Sequence, residues 1–433
     1  MSDSQHGRRT SRRALLLGGA GAATLYAMRG GAPNRTTAID ASLVSTAVQR
    51  NVHLAATDGW VSIADPALTP ATKPFWPDPY AANHGPFDLY VFGFRDVTGL
   101  TTAQIAAQRG RAQLSAPQLV FDEGTEVRLT LSNLGLSQRP DLVDGHTIHW
   151  HGFVNAVPLF DGVPELSISV PIGRDFTYFF RPHDAGTYMY HCHFEDVEHV
   201  QMGMTGMLFV RPIGWQLGNR FAYSGDSVGT RYDREFGFML NEIFVEGHYR
   251  DAHIQTTDWT DFTASFSTMN GRTYPDTLKP NGDPLTTTAG RLQYQPISSL
   301  VTANAGERVL LRLSSLGYES HTMTVDAFPL TVVAKDAVLL RNGAVTNYLT
   351  TNSVEVAPGE SRDVIFTAPA YDANLPGGTD PRYGLYNRYD FYDRGYRNAS
   401  NGGGAGFGGM ATEIRVYRSG LPSQADSQST PNA

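Results

Sequence analysis

Two parts of this 433-residue chain carry the same succession of short motifs, and this duplication limits the folds open to it. In the first copy, Gly-Thr-Glu-Val-Arg-Leu at 124–129 precedes a His-rich run at 146–153. In the second copy, Gly-Glu-Arg-Val-Leu-Leu at 306–311 precedes His-Thr-Met-Thr-Val-Asp-Ala-Phe at 321–328. Each copy then has a Pro/Gly turn and an Arg-Asp pair before another apolar run. Two copies of one domain are the simplest explanation.

The runs inside each copy have the pattern of β-strands. Val127, Leu129 and Leu131 alternate with polar residues, which is the period of a half-buried strand. Short apolar runs of the same kind lie at 87–94, 176–180, 207–210, 309–313, 330–333, 364–366 and 414–417. The chain contains 44 Gly and 25 Pro, which suit many short strands joined by turns. We therefore expect an all-β fold with two consecutive β-sandwich domains.

The N-terminus has the features of an export signal. Arg12 and Arg13 precede an apolar run that ends near Met28, and this run is too short to span a membrane. We interpret residues 1–35 as a twin-arginine signal segment, which predicts a mature protein in the periplasm or outside the cell. No later stretch of the sequence is long and apolar enough to cross a bilayer.

The rest of the chain divides into five parts. Five prolines between positions 66 and 79 predict that residues 36–80 form an extended arm. We place the first domain at 81–213, a linker at 214–235 and the second domain at 236–419. The tail at 420–433 is rich in Ser, Pro and Gln, and we expect it to be disordered.

Charge and cysteine content exclude some classes of protein. The formal net charge of −8 argues against a general nucleic-acid binder, which needs a basic face. The single Cys excludes a disulfide framework within the chain and any metal site built from Cys alone.

Histidine is concentrated in the first copy. Seven of the 13 His lie between positions 146 and 199. All of them except His183 fall in the order His-x-x-His-x-His-Gly, His-Cys-His and one further His. Neighbouring side chains of a strand point to opposite faces, so Cys192 faces away from the His on either side of it. The same alternation separates His146 from the next two His. The first set is His146, Cys192, His199 and Met204, and the second is His149, His151, His191 and His193.

The two sets predict two metal sites. One thiolate, two imidazoles and a weak axial thioether form a blue-copper electron-transfer site, and soft sulfur ligands favour copper over hard cations. The second set is all imidazole, which suits copper, zinc, iron or nickel. The chain from Cys192 to its neighbouring His would couple the two sites. The alternatives are an inert buried Cys and a zinc site, although Met204 and a single thiol fit zinc poorly.

These motifs resemble those of the multicopper oxidases, which include the laccases, their two-domain relatives and the related copper nitrite reductases. The likeness covers both copies and implies two cupredoxin-like Greek-key domains. It implies that the first set holds a type 1 copper. It also implies that His149 is a type 2 ligand and that His151, His191 and His193 are type 3 ligands. The runs Asp-Gly-Val-Pro at 161–164 and Gly-Thr-Tyr at 186–188 match the family as well.

The loop after Cys192 departs from the laccase pattern. His199 lies seven positions after Cys192. This spacing is longer than laccases usually have and closer to that of the nitrite reductases. The spacing from this His to the axial position is the usual one, and it selects Met204 over Met202.

The second copy has lost the corresponding ligands. Thr324 and Asp326 stand where the first copy has His149 and His151, and no His-Cys-His occurs near 384–391. The extra His of nitrite reductases is also missing from 402–410. His321 remains at the position of the first His of the motif, and in nitrite reductases a His from this region faces the copper of a neighbouring subunit. We therefore expect a homotrimer in which His321 completes a neighbour's His-rich site; the alternative is a hydrogen-bonded remnant.

The expected function is that of a secreted copper oxidoreductase. It takes single electrons from a reductant at an exposed His199 and passes them through Cys192 to the His-rich site, where an acceptor, most simply O₂, is reduced. The reductant is a small molecule, a metal ion or an electron-donor protein. The alternatives are a nitrite-reductase-like enzyme and an electron carrier or copper-binding protein with one type 1 site.

Three carboxylates, Glu195, Asp196 and Glu198, lie between Cys192 and His199, and we call them the acidic loop. They predict a local negative potential that would attract a cationic reductant. The alternative is a solvated loop without a docking role.

Overall fold

The computed structural model describes residues 49–64, 72–81, 87–283, 285, 290–402 and 404–425. The predicted signal segment at 1–35 and the end of the tail at 426–433 lie outside these ranges. Among the described residues, no helix has both the length and the apolar character to cross a membrane.

Strands dominate the described part of the chain, which confirms the all-β prediction. In the first half they are β1 Gln49–Ser62, β2 Asp88–Asp96, β3 Leu119–Asp122, β4 Glu126–Asn133, β5 His149–His151, β6 Asp175–Phe180, β7 Gly186–His191 and β8 Thr205–Arg211. In the second half they are β9 Arg234–Ile243, β10 Phe266–Met269, β11 Val301–Asn304, β12 Arg308–Ser315, β13 His321–Thr324, β14 Leu330–Lys335, β15 Val338–Leu339, β16 Arg341–Asn342, β17 Val345–Thr346, β18 Leu349–Thr351, β19 Ser353–Val356, β20 Ser361–Thr367, β21 Gly377–Asp380, β22 Gly384–Asp393 and β23 Ala411–Tyr417.

Helices are short and few in the same residues. The α-helices are α1 Thr102–Ala106, α2 Asp196–Gln201 and α3 Val245–Ala252. Single 3₁₀ turns lie at Lys73–Phe75, Pro79–Ala81, Pro158–Phe160, Ser224–Asp226, Trp259–Asp261 and Asp276–Leu278.

The first domain is a sandwich of two four-stranded sheets, in the orders β2-β1-β4-β6 and β3-β8-β7-β5. The β1/β4 and β3/β8 pairs are parallel and the other pairs are antiparallel. Val127, Leu129 and Leu131 of β4 are buried, as their alternation predicts. They pack in one core with Trp150 of β5 and Tyr190 of β7, so the core supports the strands that carry the His-rich motifs.

The second domain repeats this order with additions at the edges. Its sheets run β10-β9-β12-β20-β14-β15, with β18 beside β14, and β11-β23-β22-β13-β19, with β21 beside β22; β16 and β17 pair separately. The first four strands of each sheet therefore correspond in order to those of the first domain. All eight apolar runs that the sequence marks as strands overlap observed strands.

The prediction of an extended arm at 36–80 is wrong for residues 49–62. These residues form β1, which lies inside the first sheet between β2 and β4. Both faces of its second half are buried, so its residues show no polar alternation. Ala55, Ala56, Asp58 and Gly59 also weaken the strand signal of this stretch, because Ala, Asp and Gly are depleted in strands.

The boundaries of the second domain also need correction. Tyr223 and Tyr232 of the predicted linker are buried against Leu310, so much of the linker packs on the second domain. The first residues of the predicted tail are packed too: the side-chain oxygen of Gln424 accepts from the amide of Glu235 at 2.9 Å. The tail is therefore part of the fold as far as Gln424.

A buried polar network ties β7 to the second domain. Thr187 Oγ1 donates to Asp363 Oδ1 at 2.5 Å and accepts from Arg312 Nη1 at 2.9 Å. Arg312 Nε also donates to Glu235 Oε2 at 3.0 Å. Because Thr187 precedes the His-Cys-His motif on the same strand, the second domain helps to fix the strand that carries the site.

Candidate metal centre

Strand pairing brings the motifs of the first copy together. β5 runs antiparallel to β7, and His149 lies directly opposite His191. The chain leaves β7 at His191 and reaches Cys192, whose amide donates to the carbonyl of Met204 at 3.2 Å. This register places His149 beside His191, and the next residue, Cys192, points to the opposite side of the chain.

The first set forms a compact buried group. His146, Cys192 and His199 have ligand atoms within 4.8 Å of one another. Cys192 Sγ lies 3.8 Å from Nδ1 of His146 and 3.2 Å from Nδ1 of His199. Met204 is fully buried, and its amide donates to the carbonyl of His199 at 2.9 Å. Two imidazole nitrogens and a thiol therefore converge next to the predicted axial residue.

The surroundings of Cys192 favour the thiolate. Burial by itself would raise the pKa of this thiol, but His199 and His146 lower it well below its usual range. The amide of Thr147 also donates to Sγ at 3.5 Å. A thiolate is the form that binds a metal, so this pocket prepares the sulfur for that role.

His199 is buried, which corrects the expectation of an exposed electron-entry ligand. Its exposed fraction is 0%, because the loop after Cys192 folds into α2 and places the ring inward. Phe92 packs edge-on against the ring, with centroids 5.6 Å apart. The carboxylate of Asp144 lies 3.7 Å from His199 Nε2, beyond hydrogen-bond distance.

The second set forms another group on the opposite face. The ligand atoms of His149, His151 and His191 lie within 4.8 Å of one another. His193 lies beside them, with its ring centroid 5.1 Å from that of His149. The structure therefore brings all eight sequence-predicted ligands of the first domain into two groups, and their roles as ligands stay a prediction.

Three imidazoles of the second group, those of His149, His151 and His191, are held in the neutral form that binds metals. Burial lowers the pKa of His149 and His151, and that of His191 to about 3. His149 Nδ1 donates to the carbonyl of Asp161 at 2.7 Å, and His191 Nδ1 donates to the carbonyl of Cys192 at 2.8 Å. Such bonds orient an imidazole and leave its other nitrogen for a ligand role.

The second domain contributes a backbone group to this site. His151 Nε2 lies 3.0 Å from the carbonyl oxygen of Gly359, in the turn before β20. Gly359 has a φ of +76°, and a Cβ there would lie 3.1 Å from the same nitrogen. Sequence reasoning noted this Pro/Gly turn only as part of the duplication and did not place it at the site.

The expected role of His321 is corrected by the structure. Its side chain is fully buried within its own domain. Nδ1 bonds Asp393 Oδ2 at 2.6 Å, and Nε2 bonds a carboxylate oxygen of Glu242. Both ring nitrogens are engaged and no surface is within reach, so His321 is not placed to complete the site of a neighbouring subunit.

The sequence did not predict the carboxylates that surround His199, which include Asp144, Glu198 and Asp251. Arg139 donates to the carbonyl of Asp251 at 2.8 Å and forms an ion pair with its carboxylate. Burial and the nearby Glu198 raise the pKa of Asp251 to about 7. These residues come from distant parts of the chain, and nothing in their local sequence marks them.

The donor atoms fit copper at both groups. A buried thiolate with two Nδ1 atoms matches the ligand set of a blue-copper site, and neutral imidazoles suit a second copper. Cys192 belongs to one group and His191 to the other, so one peptide bond separates the two.

Comparison with known proteins identifies the family. Two family models described as multicopper oxidase match residues 101–214 and 243–375, together more than half of the chain. A multicopper oxidase of Talaromyces pinophilus is 38% identical over 103 residues, 23% of this chain and 15% of that protein. Laccase-1 of Melanocarpus albomyces is 25% identical over 322 residues, 69% of this chain and 44% of that protein. The chain thus spans less than half the length of these curated relatives.

Solved structures share the fold. The blue copper oxidase of Nitrosomonas europaea superposes with a TM-score of 0.58 at 21% identity, covering 85% of this chain and 86% of that one. A copper nitrite reductase of the same organism gives a TM-score of 0.53 at 16% identity, covering 89% and 98%. The two-domain cupredoxin-like architecture, the convergence of thiol and imidazoles, and the two family matches show that this chain belongs to the multicopper oxidase family, whose members are copper-dependent oxidoreductases.

Proposed function

We propose that this protein oxidises a reductant one electron at a time and delivers the electrons to an acceptor, most simply O₂, at the His-rich group. Copper bound at both groups would supply the one-electron chemistry, with type 1 copper at His146, Cys192, His199 and Met204. The second site would be held by His149, His151 and His191, with His193 beside them.

The observation that supports this proposal most strongly is the direct connection between the two groups through adjacent residues of the chain. Cys192 lies in the first and His191 in the second, and His191 Nδ1 donates to the carbonyl of Cys192 at 2.8 Å. A single peptide unit and one hydrogen bond therefore link the two groups inside a buried core. A protein that only stored metal would not need this link.

The test is copper analysis combined with oxygen uptake. The copper-loaded protein is expected to consume O₂ when a reductant is added, and His149→Ala should stop the uptake while the colour of the first site remains. Uptake that persists in His149→Ala would refute the assignment of the acceptor site.

We propose that the reductant is a cation, which would approach the first copper site at the acidic loop. Glu195 and Asp196 are exposed, while Glu198 is half-buried and burial raises its pKa. Asp144 adds a fourth carboxylate next to His199. Carboxylates of the acidic loop and of Asp144 therefore surround His199, and a divalent metal ion or a basic donor protein would be attracted to them.

An electron carrier with one copper is the second candidate. The second domain presents the carbonyl of Gly359 to the His-rich group. A cluster of several copper ions would need another imidazole at this position, so the carbonyl favours the carrier. The copper count separates the two: one ion per chain favours the carrier, and two or more favour the enzyme. Uptake of nitrite instead of O₂ would favour a nitrite-reductase-like reaction.

A homotrimer stays part of the proposal, although without His321 at its interface. Seven large apolar side chains are exposed in the stretch 143–172, which includes the His-rich strand β5, and they are candidates for an interface between copies of this chain. They are Val143, Val154, Val157, Leu159, Leu166, Ile168 and Ile172. Light scattering on the copper-loaded protein is expected to give three times the chain mass, and a strict monomer with full oxidase activity would exclude the trimer.

We also propose export by the twin-arginine route. Arg12-Arg13 and the apolar run that follows support it. Replacing both arginines with Lys should retain the protein in the cytoplasm, and unchanged export would contradict the proposal.

A further inference from the structure

Four positions of the second domain correspond to the four residues of the first group. Thr324 on β13 pairs with Tyr392 on β22, as His149 on β5 pairs with His191 on β7. The residue after Tyr392 is Asp393, which therefore stands where the first domain has Cys192. His321 stands, correspondingly, where the first domain has His146.

Backbone hydrogen bonds extend the correspondence to the other two positions. The amide of Asp393 donates to the carbonyl of Met410 at 3.0 Å, as that of Cys192 donates to Met204. The amide of Met410 donates to the carbonyl of Asn398 at 2.7 Å, as that of Met204 donates to His199. The four corresponding positions are His321, Asp393, Asn398 and Met410, and we call them the remnant. His321 and Met410 keep the residue types of the first domain, whereas Asp393 and Asn398 replace Cys192 and His199.

Hydrogen bonds within the second domain occupy the polar atoms of His321 and Asp393 in the remnant. His321 lies between the carboxylates of Asp393 and Glu242, which take up both ring nitrogens. The amide of Gly395 donates to Asp393 at 2.7 Å, and that of Tyr318 donates to Glu242 at 2.7 Å. The imidazole is thus fully buried with both nitrogens bonded, and His321, Asp393 and Glu242 form a buried polar core.

This core is connected to α2 of the first domain by two bonds. Gln201 Nε2 donates to the carbonyl of Glu242 at 2.7 Å. The hydroxyl of Tyr318, whose amide is held by the Glu242 carboxylate, donates to the carbonyl of Val197. Both bonded residues of the first domain belong to α2, the helix that contains His199.

Helix α2 needs such support. It has six residues, and helices shorter than about 12 residues are marginal in water without tertiary contacts. Its N-cap, Glu195, has a φ of +48° and makes no side-chain cap bond. The position of His199 therefore depends on contacts outside the helix.

We propose that the second domain has turned its remnant into an anchor for α2, with Tyr318 and Gln201 as positioning residues for His199. The inference rests on the proposed type 1 copper for its functional meaning. Its structural part concerns the metal-free protein and can be tested by itself.

The first measurement is hydrogen–deuterium exchange of residues 196–202 in the metal-free protein. Tyr318→Phe removes the hydroxyl that donates to the carbonyl of Val197, and Gln201→Met removes the amide that donates to the carbonyl of Glu242. Both variants keep most of the side-chain volume. Each variant is expected to speed exchange roughly fivefold, because a typical net hydrogen bond has about that effect on an opening equilibrium. Tyr392→Phe is the matched control, because its hydroxyl bonds Asp326 on the same domain, away from α2.

The second measurement follows the blue colour of the copper-loaded protein during extraction by a chelator. Tyr318→Phe is expected to lose colour about fivefold faster than the wild type, and Tyr392→Phe at the wild-type rate. If exchange and colour loss are unchanged in both Tyr318→Phe and Gln201→Met, the anchor is refuted. A wild type that binds no blue copper would refute the proposed function, and the exchange experiment would still decide the anchor.

Discussion

The stability of this protein should fall as the pH rises through the titration of His321. The flanking carboxylates Asp393 and Glu242 favour the imidazolium, and although burial opposes it, the pKa of His321 is raised from 6.5 to about 9. A raised pKa means that the folded state holds the proton more tightly than the unfolded chain. This contribution is therefore complete below about pH 6 and is lost as the pH approaches 9.

The size of the effect follows from the same values. One pKa unit corresponds to about 1.36 kcal/mol, so a rise from 6.5 to about 9 contributes about 3 kcal/mol to the free energy of unfolding. The assay is urea unfolding of the metal-free protein between pH 6 and pH 10. His321→Gln is the comparison, because the difference between the two proteins cancels other titrating groups, including Cys192 and His199.

The difference in unfolding free energy between wild type and His321→Gln should shrink by about 3 kcal/mol over this range. A difference that is constant from pH 6 to pH 10 would show that His321 is not charged in the folded protein. It would refute the description of the remnant as an imidazolium held between two carboxylates.

Three further predictions concern charge, the domain interface and the second site. Replacing the carboxylates of the acidic loop by their amides should slow oxidation of a cationic donor as added salt does, while a neutral phenol is little affected; equal rates for the cation in both proteins would leave the loop without a docking role. Arg312→Met should lower the free energy of unfolding by about 3–5 kcal/mol in urea titrations, because it leaves buried carboxylates unpaired. Arg128→Met, at an exposed ion pair, should cost less than about 1 kcal/mol, and similar losses in the two variants would contradict this view of the interface. Gly359→Ala places a methyl against His151 at a positive φ, so the paramagnetic-resonance signal of the second copper should change while the blue band persists; an unchanged signal would show that this turn does not shape the site.

The two groups of ligands could be predicted because a strand has a strict period. Alternation alone separated Cys192 from His191 and His193, and the structure brings together the sets that this period predicts. Apolar runs in the sequence located eight of the 23 strands in the described residues. They missed β1, because both faces of residues 54–59 are buried and no polar residues mark an outer face.

Long-range contacts were beyond the sequence. The loop from Cys192 to His199 contains no pattern that predicts a helix, and the burial of His199 depends on packing against residues such as Phe92. The partners of His321, Glu242 and Asp393, lie 79 and 72 positions away in the chain. The sequence comparison looked for a second His-Cys-His at 384–391. Strand register shows that the equivalent positions begin one residue later, at Tyr392.

Two copper sites that meet at the Cys192–His191 peptide unit should be visible in metal analysis of the copper-loaded protein, combined with its visible and paramagnetic-resonance spectra. We expect at least two copper ions per chain and an intense blue colour from a thiolate–copper bond. Cys192→Ser should lose the colour, keep the fold and retain the copper of the His-rich group. A wild type that binds copper and stays colourless, or that binds a single ion, would show that the two sites are not both present.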